Sequence, residues 1–183
     1  MSRIGVIVGS SRPTRVSPTV AARIAEVLDG PFEVDVIDLA EVALPFFDEP
    51  ASPMSGADPV NAHTRAWARR VAALDAVVIV TPEYNAGYPA ILKNALDFLA
   101  AEWRDKPVAV VAYGWHGGAR AASALTPVLA NLKMIEVDGL RLQFGQHLVD
   151  GEWSADPAVR SRLEGELTEL VGRLQRALFR QAA

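Results

Sequence analysis

The chain has no cysteine among its 183 residues. That excludes disulfide staples, a thiol nucleophile and cysteine-held iron–sulfur clusters. Histidine is scarce as well: His63, His116 and His147 are scattered along the chain without metal-ligand spacing, so no metal is expected. An excess of positive charge is also missing, with 18 Lys and Arg against 22 Asp and Glu. A nucleic-acid partner, which calls for a basic stripe, is therefore not expected. No stretch approaches the ~18 apolar residues of a membrane-spanning helix. The first apolar stretch, Ile4 to Val8, is too short for a secretory signal and has no small-residue cleavage site after it, which leaves the cytoplasm as the expected location. The Gly-x-Gly-x-x-Gly, P-loop and Gly-x-Ser-x-Gly patterns are absent, which argues against a dinucleotide fold, a P-loop protein and a serine hydrolase.

What is present suits one domain over residues 1–183, since domains commonly run to roughly 100–200 residues. Ile4 to Val8 is an unbroken apolar run, as a strand covered on both faces of a parallel sheet requires. Ser17-Pro18 reads as N-cap and first helical residue, followed by a helical stripe of Val20, Ile24, Val27 and Leu28 up to Asp29-Gly30. A second strand, Phe32 to Ile37, ends at Asp38. A long acidic, Pro-bearing loop follows, from Leu44 to Pro59. With only 7% aromatic residues in the chain, the Phe46-Phe47 pair in that loop is unusual, and it is expected to pack on another subunit or roof a site. Val60 to Leu74 reads as a helix with Trp67 and Val71 inward, and Ala76 to Val80 as the third strand. Pro89 to Ala101 reads as a helix burying Leu92, Ala95, Leu96 and Leu99. Pro107 to Tyr113, a helix over Arg120 to Leu132, a strand over Ile135 to Phe144 interrupted at Asp138-Gly139, and a helix over Pro157 to Phe179 complete the order. Strands alternating with helices predict an α/β fold: a doubly wound five-stranded parallel sheet, order 2-1-3-4-5, flanked by helices on both faces.

That topology brings three loops to the carboxyl ends of the strands. The first, Gly9 to Ser17, offers hydroxyls at Ser10, Ser11, Thr14 and Ser17 and guanidinium groups at Arg12 and Arg15. It runs into a helix amino terminus, which favours an anion such as a phosphate of charge about −1.5 to −2. The competing reading is a solvated turn whose arginines only cap the helix. In the second loop, Thr81 to Pro89, Pro82 fixes one backbone angle and Gly87 permits a conformation closed to other residues. Tyr84 and Tyr88 are placed to face a flat ring, with Asn85 to hydrogen-bond its heteroatoms, although plain packing is the commoner use of tyrosine. The third loop, Gly114-Trp115-His116-Gly117-Gly118, lets backbone approach a ligand closely. It serves equally well as turn punctuation.

GSSRPTRVSP at 9–18, TPEYNAGYPAILKNALDFL at 81–99 and GWHGG at 114–118, in that order, resemble the NADPH-dependent FMN reductase family of flavodoxin-like proteins. The second motif is highly specific, the other two are weak alone, and the element order covers nearly the whole chain. The resemblance implies an FMN whose phosphate sits on Ser10, Arg12, Ser17 and helix N–H groups, with Arg15, Pro18 and Thr19 as neighbours by position. It places the flavin ring against Pro82, Glu83, Tyr84, Asn85 and the turn at Gly87, with Gly114, Trp115, His116 and Gly117 along the other edge. Pro18-Thr19 stands where many members of that family have Asn near the helix start, a departure confined to the phosphate end of the implied site.

By the same resemblance the activity is an FMN-dependent NAD(P)H oxidoreductase. NADPH or NADH supplies a hydride, and a small-molecule acceptor takes the electrons: a quinone, free flavin, azo compound or metal oxyanion. The chemistry belongs to the cofactor, with no amino-acid nucleophile. A carboxylate at Glu83 would oppose a reduced anionic ring, so helix capping or an inter-subunit hydrogen bond is its expected role. Lys93, Asn94 and Asp97 are expected on a solvated or interface face. Such proteins commonly form a homodimer or a dimer of dimers, and Phe46, Phe47, Trp103 and the exposed face of the helix after Pro89 are the candidate contacts. The rival reading is an electron-transfer flavoprotein without its own NAD(P)H reaction.

Overall fold

The computed structural model describes residues 1–182. The unbroken apolar runs become the middle of a sheet: β1 (Arg3–Val8), β3 (Ala76–Pro82) and β4 (Pro107–Gly114), the last two buried at every residue. The more polar β2 (Glu33–Asp38) and β5 (Ile135–Gln143) form the edges. All five pair in parallel in the order β2-β1-β3-β4-β5, as expected.

Side chains alternate between two cores. Ile4, Val6 and Val8 point to the face covered by α1 (Ser17–Leu28) and α6 (Pro157–Ala182), where Ile24, Leu163, Leu167, Leu170 and Leu174 meet them. Ile7, Ile79 and Val110 point to the other face. There α3 (Ala62–Ala72), α4 (Ala90–Asp97) and α5 (Ala119–Asn131) contribute Trp67, Leu92, Leu96, Leu125 and Leu129. Each fully buried Leu or Ile stabilises the fold by about 1.5–3 kcal/mol relative to exposure. Among the described residues no helix is long and apolar enough to cross a membrane.

Four local departures from the expected elements have physical causes. The helix α1 begins at Ser17, with Val16 at its cap and no capping side chain. Ser17 is no N-cap because its hydroxyl is taken by the Tyr113 phenol, 2.6 Å away. A short helix α2 (Leu39–Val42) follows β2, capped by Asp38, which accepts the Ala40 N–H at 3.0 Å. The helix α4 stops at Asp97, short of Ala101. Its terminal carbonyls find other donors: the Trp103 indole at Leu96 (3.1 Å) and the Trp67 indole at Ala95 (2.9 Å). Trp103 is thus wholly buried, which removes it from the candidate subunit contacts. Finally, β6 (Leu148–Val149) and β7 (Glu152–Trp153) form a small hairpin absent from the expected order. Its two-residue turn, Asp150-Gly151, has positive φ at both positions, and Asp-Gly is the sequence signal for such a turn.

The expected break at Asp138-Gly139 is a β-bulge. The register jumps from Ala109 opposite Val137 to Val111 opposite Leu140. A Cβ on Gly139 would lie 2.0 Å from the Val110 carbonyl oxygen, and the Arg141 guanidinium donates to that oxygen at 2.9 Å.

Candidate functional site

The carboxyl ends of β1, β3, β4 and β5 all reach one rim of the sheet. Between them lies a cleft of about 460 Å³, within the usual range of roughly 300–1,000 Å³ for small-molecule sites. Arg12, Thr14, Arg15 and Val16 line one end. Pro82 to Ala86 form a wall, and Tyr113 to His116, Arg120 and Phe144 close the rest.

The first loop is held to β3 where the Gly9 N–H donates to the Val80 carbonyl at 2.8 Å. Its serines do not reach the cleft lining. Ser10 and Ser17 are buried behind it, their hydroxyls paired with the phenols of Tyr84 (2.7 Å) and Tyr113 (2.6 Å). Arg15 lines the cleft but its guanidinium is paired with the Asp38 carboxylate. Arg12 also lines it and has no carboxylate partner among the described residues. Pro18 is exposed outside the cleft. Thr19 lies toward the hairpin, its carbonyl accepting the Trp153 indole N–H at 3.3 Å.

An anion fits this end. The amino terminus of α1 lacks a capping side chain. Pro18 has no N–H and the Val20 N–H donates to the Val16 carbonyl at 3.2 Å, which leaves at most the Ser17 and Thr19 N–H groups for a ligand. Val16 at the cap borders the cleft beside Arg12 and Thr14.

The second loop carries strain. Tyr84 and Gly87 exchange backbone hydrogen bonds at 2.8 and 2.9 Å. The two residues between them, Asn85 and Ala86, have φ of 49° and 67°. The left-handed backbone expected of Gly87 falls instead on its two predecessors. At an alanine this costs roughly 1–2 kcal/mol, and such strain concentrates at functional loops. Gly87 lies just outside the lining. Tyr84 faces the cleft, whereas Tyr88 packs on the α4 side of the core, where burial raises its phenol pKa.

The third loop turns at Gly118, whose φ is 66° and where a Cβ would sit 2.6 Å from the Tyr113 nitrogen. Gly114, Trp115 and His116 line the cleft, and Gly117 sits behind them against Arg141. The Trp115 ring, 72% exposed, meets Phe144 edge-to-face at 5.4 Å, and Phe144 meets Tyr113 at 5.7 Å. Burial, only partly opposed by the Ser17 hydrogen bond, pushes the Tyr113 phenol up to about 12. It is neutral at any physiological pH.

Tyr113, Phe144 and Arg120 were not singled out from sequence. A signal existed for the first two, because they end the fourth and fifth expected strands, and strand carboxyl ends are where such sheets bind ligands.

Glu83 is the carboxylate in the lining. It accepts the Arg120 backbone N–H at 3.0 Å and the Arg120 Nε at 2.8 Å, with Nη2 also at 2.8 Å. Burial raises its pKa, but these donors together outweigh burial and hold the carboxyl below the ordinary range. It caps α5, so the helix-capping role expected for it is observed. Phe46 and Phe47 do not roof the cleft. Asn94 pins their loop to α4, donating to the Pro45 carbonyl at 2.7 Å and accepting the Phe47 N–H at 3.0 Å. Phe47 rests edge-on against Phe98 (5.2 Å), and Phe46 projects outward, 85% exposed.

The arrangement therefore couples an anion-binding corner to a wall of aromatic and backbone surface suited to a flat ring. Comparison with known proteins places the chain in a family. A family model described as NADPH-dependent FMN reductase matches residues 2–147. An NAD(P)H-dependent FMN reductase of Saccharomyces cerevisiae is 41% identical over 153 residues, covering 77% of this chain and 80% of its own length. Another of that description from Schizosaccharomyces pombe is 46% identical over 135 residues, covering 72% and 68%. Among solved structures, the flavoenzyme NAD(P)H:(acceptor) oxidoreductase FerB from Paracoccus denitrificans superposes with a TM-score of 0.76 at 23% identity. That match covers 97% of this chain and 99% of FerB, a likeness of fold.

Proposed function

Because the chain belongs to the NADPH-dependent FMN reductase family, we propose that its cleft holds FMN and that the protein oxidises NAD(P)H and passes the electrons to a planar small-molecule acceptor. The observation that carries this reading is the pairing, in one cleft, of the uncapped α1 amino terminus and Arg12 with the wall formed by Pro82 to Ala86 and the Trp115–Phe144–Tyr113 row.

When bound, FMN supplies the capacity to take two electrons from a nicotinamide and release them to a second substrate. The protein's own contribution is position and electrostatics. Arg12, the Thr14 hydroxyl and the N–H groups left open at the start of α1 would hold the phosphate. Ser10 and Ser17 act indirectly, fixing the Tyr84 and Tyr113 phenols by hydrogen bonds. Asn85 and the strained turn would offer the ring an amide and backbone polar groups. Gly114 to His116, across the cleft, would supply backbone N–H groups that favour the charge developing on reduction. The exposed Trp115 ring favours a flat acceptor, such as a quinone, free flavin or azo compound, over a compact metal oxyanion.

The test is anaerobic stopped-flow mixing of FMN-loaded protein with NADPH or NADH. Rapid bleaching of the visible flavin band, and its return on adding a quinone, is expected. A band that persists through NAD(P)H but bleaches with a one-electron donor would assign the protein to electron transfer alone.

We also read the projecting Phe46 and the solvent face of α4, where Lys93 pairs with Asp97 at 2.5 Å, as a contact of a homodimer. Sedimentation of FMN-loaded protein as a monomer at micromolar concentration would remove that interface.

A further inference from the structure

The Glu83–Arg120 pair joins the second loop to the start of α5 across the third, and both residues line the cleft. Its two halves are unequal: the Glu83 side chain is 10% exposed, the Arg120 side chain 63%. An ion pair with one exposed partner contributes little to stability, so stability alone is a poor reason for the arrangement. A carboxylate in the wall of a partly desolvated cleft has a stronger consequence. Its field acts on any group whose charge changes there, and it opposes a gain of electrons. The geometry keeps Glu83 close regardless, because Gly114 packs against it: a Cβ on Gly114 would lie 3.5 Å from the Glu83 Cβ. Arg120 is the cation in direct contact with that charge: Arg15 is committed to Asp38, and Arg12, the third arginine of the lining, makes no ion pair with Glu83 among the described residues.

We propose that Arg120 is a positioning residue which acts through Glu83: its guanidinium cancels the carboxylate in the cleft wall and so sets how strongly the site favours the reduced form of its cofactor. This rests on the reading of the cleft as an FMN site. The pair serves two ends at once. Glu83 caps α5 and ties the loops together, and Arg120 removes the electrostatic penalty that this tie would impose on reduction.

The test is a redox titration of FMN bound to the wild-type protein, Arg120→Met, Arg120→Lys, Glu83→Gln and the double variant Glu83→Gln/Arg120→Met, at a pH of about 8, with FMN affinity measured in parallel. Arg120→Met is expected to weaken binding of reduced relative to oxidised FMN at least about tenfold, a fall of ~30 mV for a two-electron couple. Glu83→Gln should move the potential the opposite way. Arg120→Lys and the double variant should both return close to wild type, because each restores the charge balance without the forked geometry. If the two single variants shift the potential in the same direction, or the double variant is worse than either, the pair acts through structure and the proposal fails. If Arg120→Met raises the KM for NADPH with no change in potential, Arg120 binds the nucleotide and the proposal likewise fails. A wild-type protein that binds no FMN at all overturns the proposed function itself, which is a distinct result.

Discussion

Arg12 and Arg15 look interchangeable in the chain, two residues of one type in one loop, yet their surroundings separate them. Arg15 is neutralised by Asp38, while Arg12 faces the cleft without a carboxylate partner among the described residues. A charge-assisted hydrogen bond contributes about 1.5–3 kcal/mol, so Arg12→Ala is expected to weaken FMN binding roughly 10- to 100-fold in a fluorescence titration. An unchanged Kd would show that Arg12 takes no part in holding the phosphate. Tyr84, Asn85 and Trp115 stand in the lining as their motifs suggested. Ser10 and Ser17 turn out to act through tyrosine phenols, because a hydroxyl can bond in several directions and only the neighbouring strands decide which partner it meets.

Among the elements, the loop from Gly114 to Gly118 shows how closely turn chemistry and site geometry are linked. At Gly118 a methyl group would collide with the Tyr113 backbone and the Ala112 Cβ, on a backbone of φ 66°. Gly118→Ala should therefore cost about 2 kcal/mol or more, since left-handed backbone alone costs roughly 1–2 kcal/mol at a residue with a Cβ. Thermal unfolding should register this as a Tm lower by about 4 °C or more, with FMN affinity lost in parallel as Tyr113 and Trp115 shift. A second element carries a pH dependence. Between β5 and β6, His147 accepts the Gln143 N–H through Nδ1 at 2.8 Å, and burial lowers its pKa. The unfolded chain takes up this proton at about pH 6.5, the folded chain only at lower pH. The stabilisation is therefore complete above about 6.5 and is lost as the pH falls toward the folded value. The Tm difference between about pH 7.5 and 5.5 should be smaller in His147→Gln than in wild type, and an equal difference would clear His147 of the effect. Neither the hairpin beyond His147 nor the early end of α4 was foreseen. The first had a readable Asp-Gly signal, but the second depends on the Trp103 indole reaching Leu96, a contact that local periodicity does not contain.

For the whole molecule, the two cores on opposite faces of one sheet share their strands, which ties α1 and α6 to α3, α4 and α5 through the backbone of β1, β3 and β4. We therefore expect residues 1–183 to unfold as one domain. A single cooperative thermal transition is predicted, and FMN at about 100 times its Kd should add about 2.7 kcal/mol, or roughly 5–10 °C in Tm. Two resolved transitions, or a Tm indifferent to FMN, would contradict this view of the cleft as the place where the loops are held together. The strand order and the rim at which the loops meet were determined by the sequence alone. Short unbroken runs rich in Val and Ile, such as Ala76 to Val80, favour buried strands, and right-handed crossovers leave few ways to connect them. Long-range packing, by contrast, settles which polar groups are consumed before a ligand arrives: Arg15 by Asp38, Ser17 by Tyr113, Glu83 by Arg120. Those partners lie 23, 96 and 37 residues apart. Pairs so distant in sequence meet only where the packed strands and helices bring them together, and a buried polar group without such a partner would be costly.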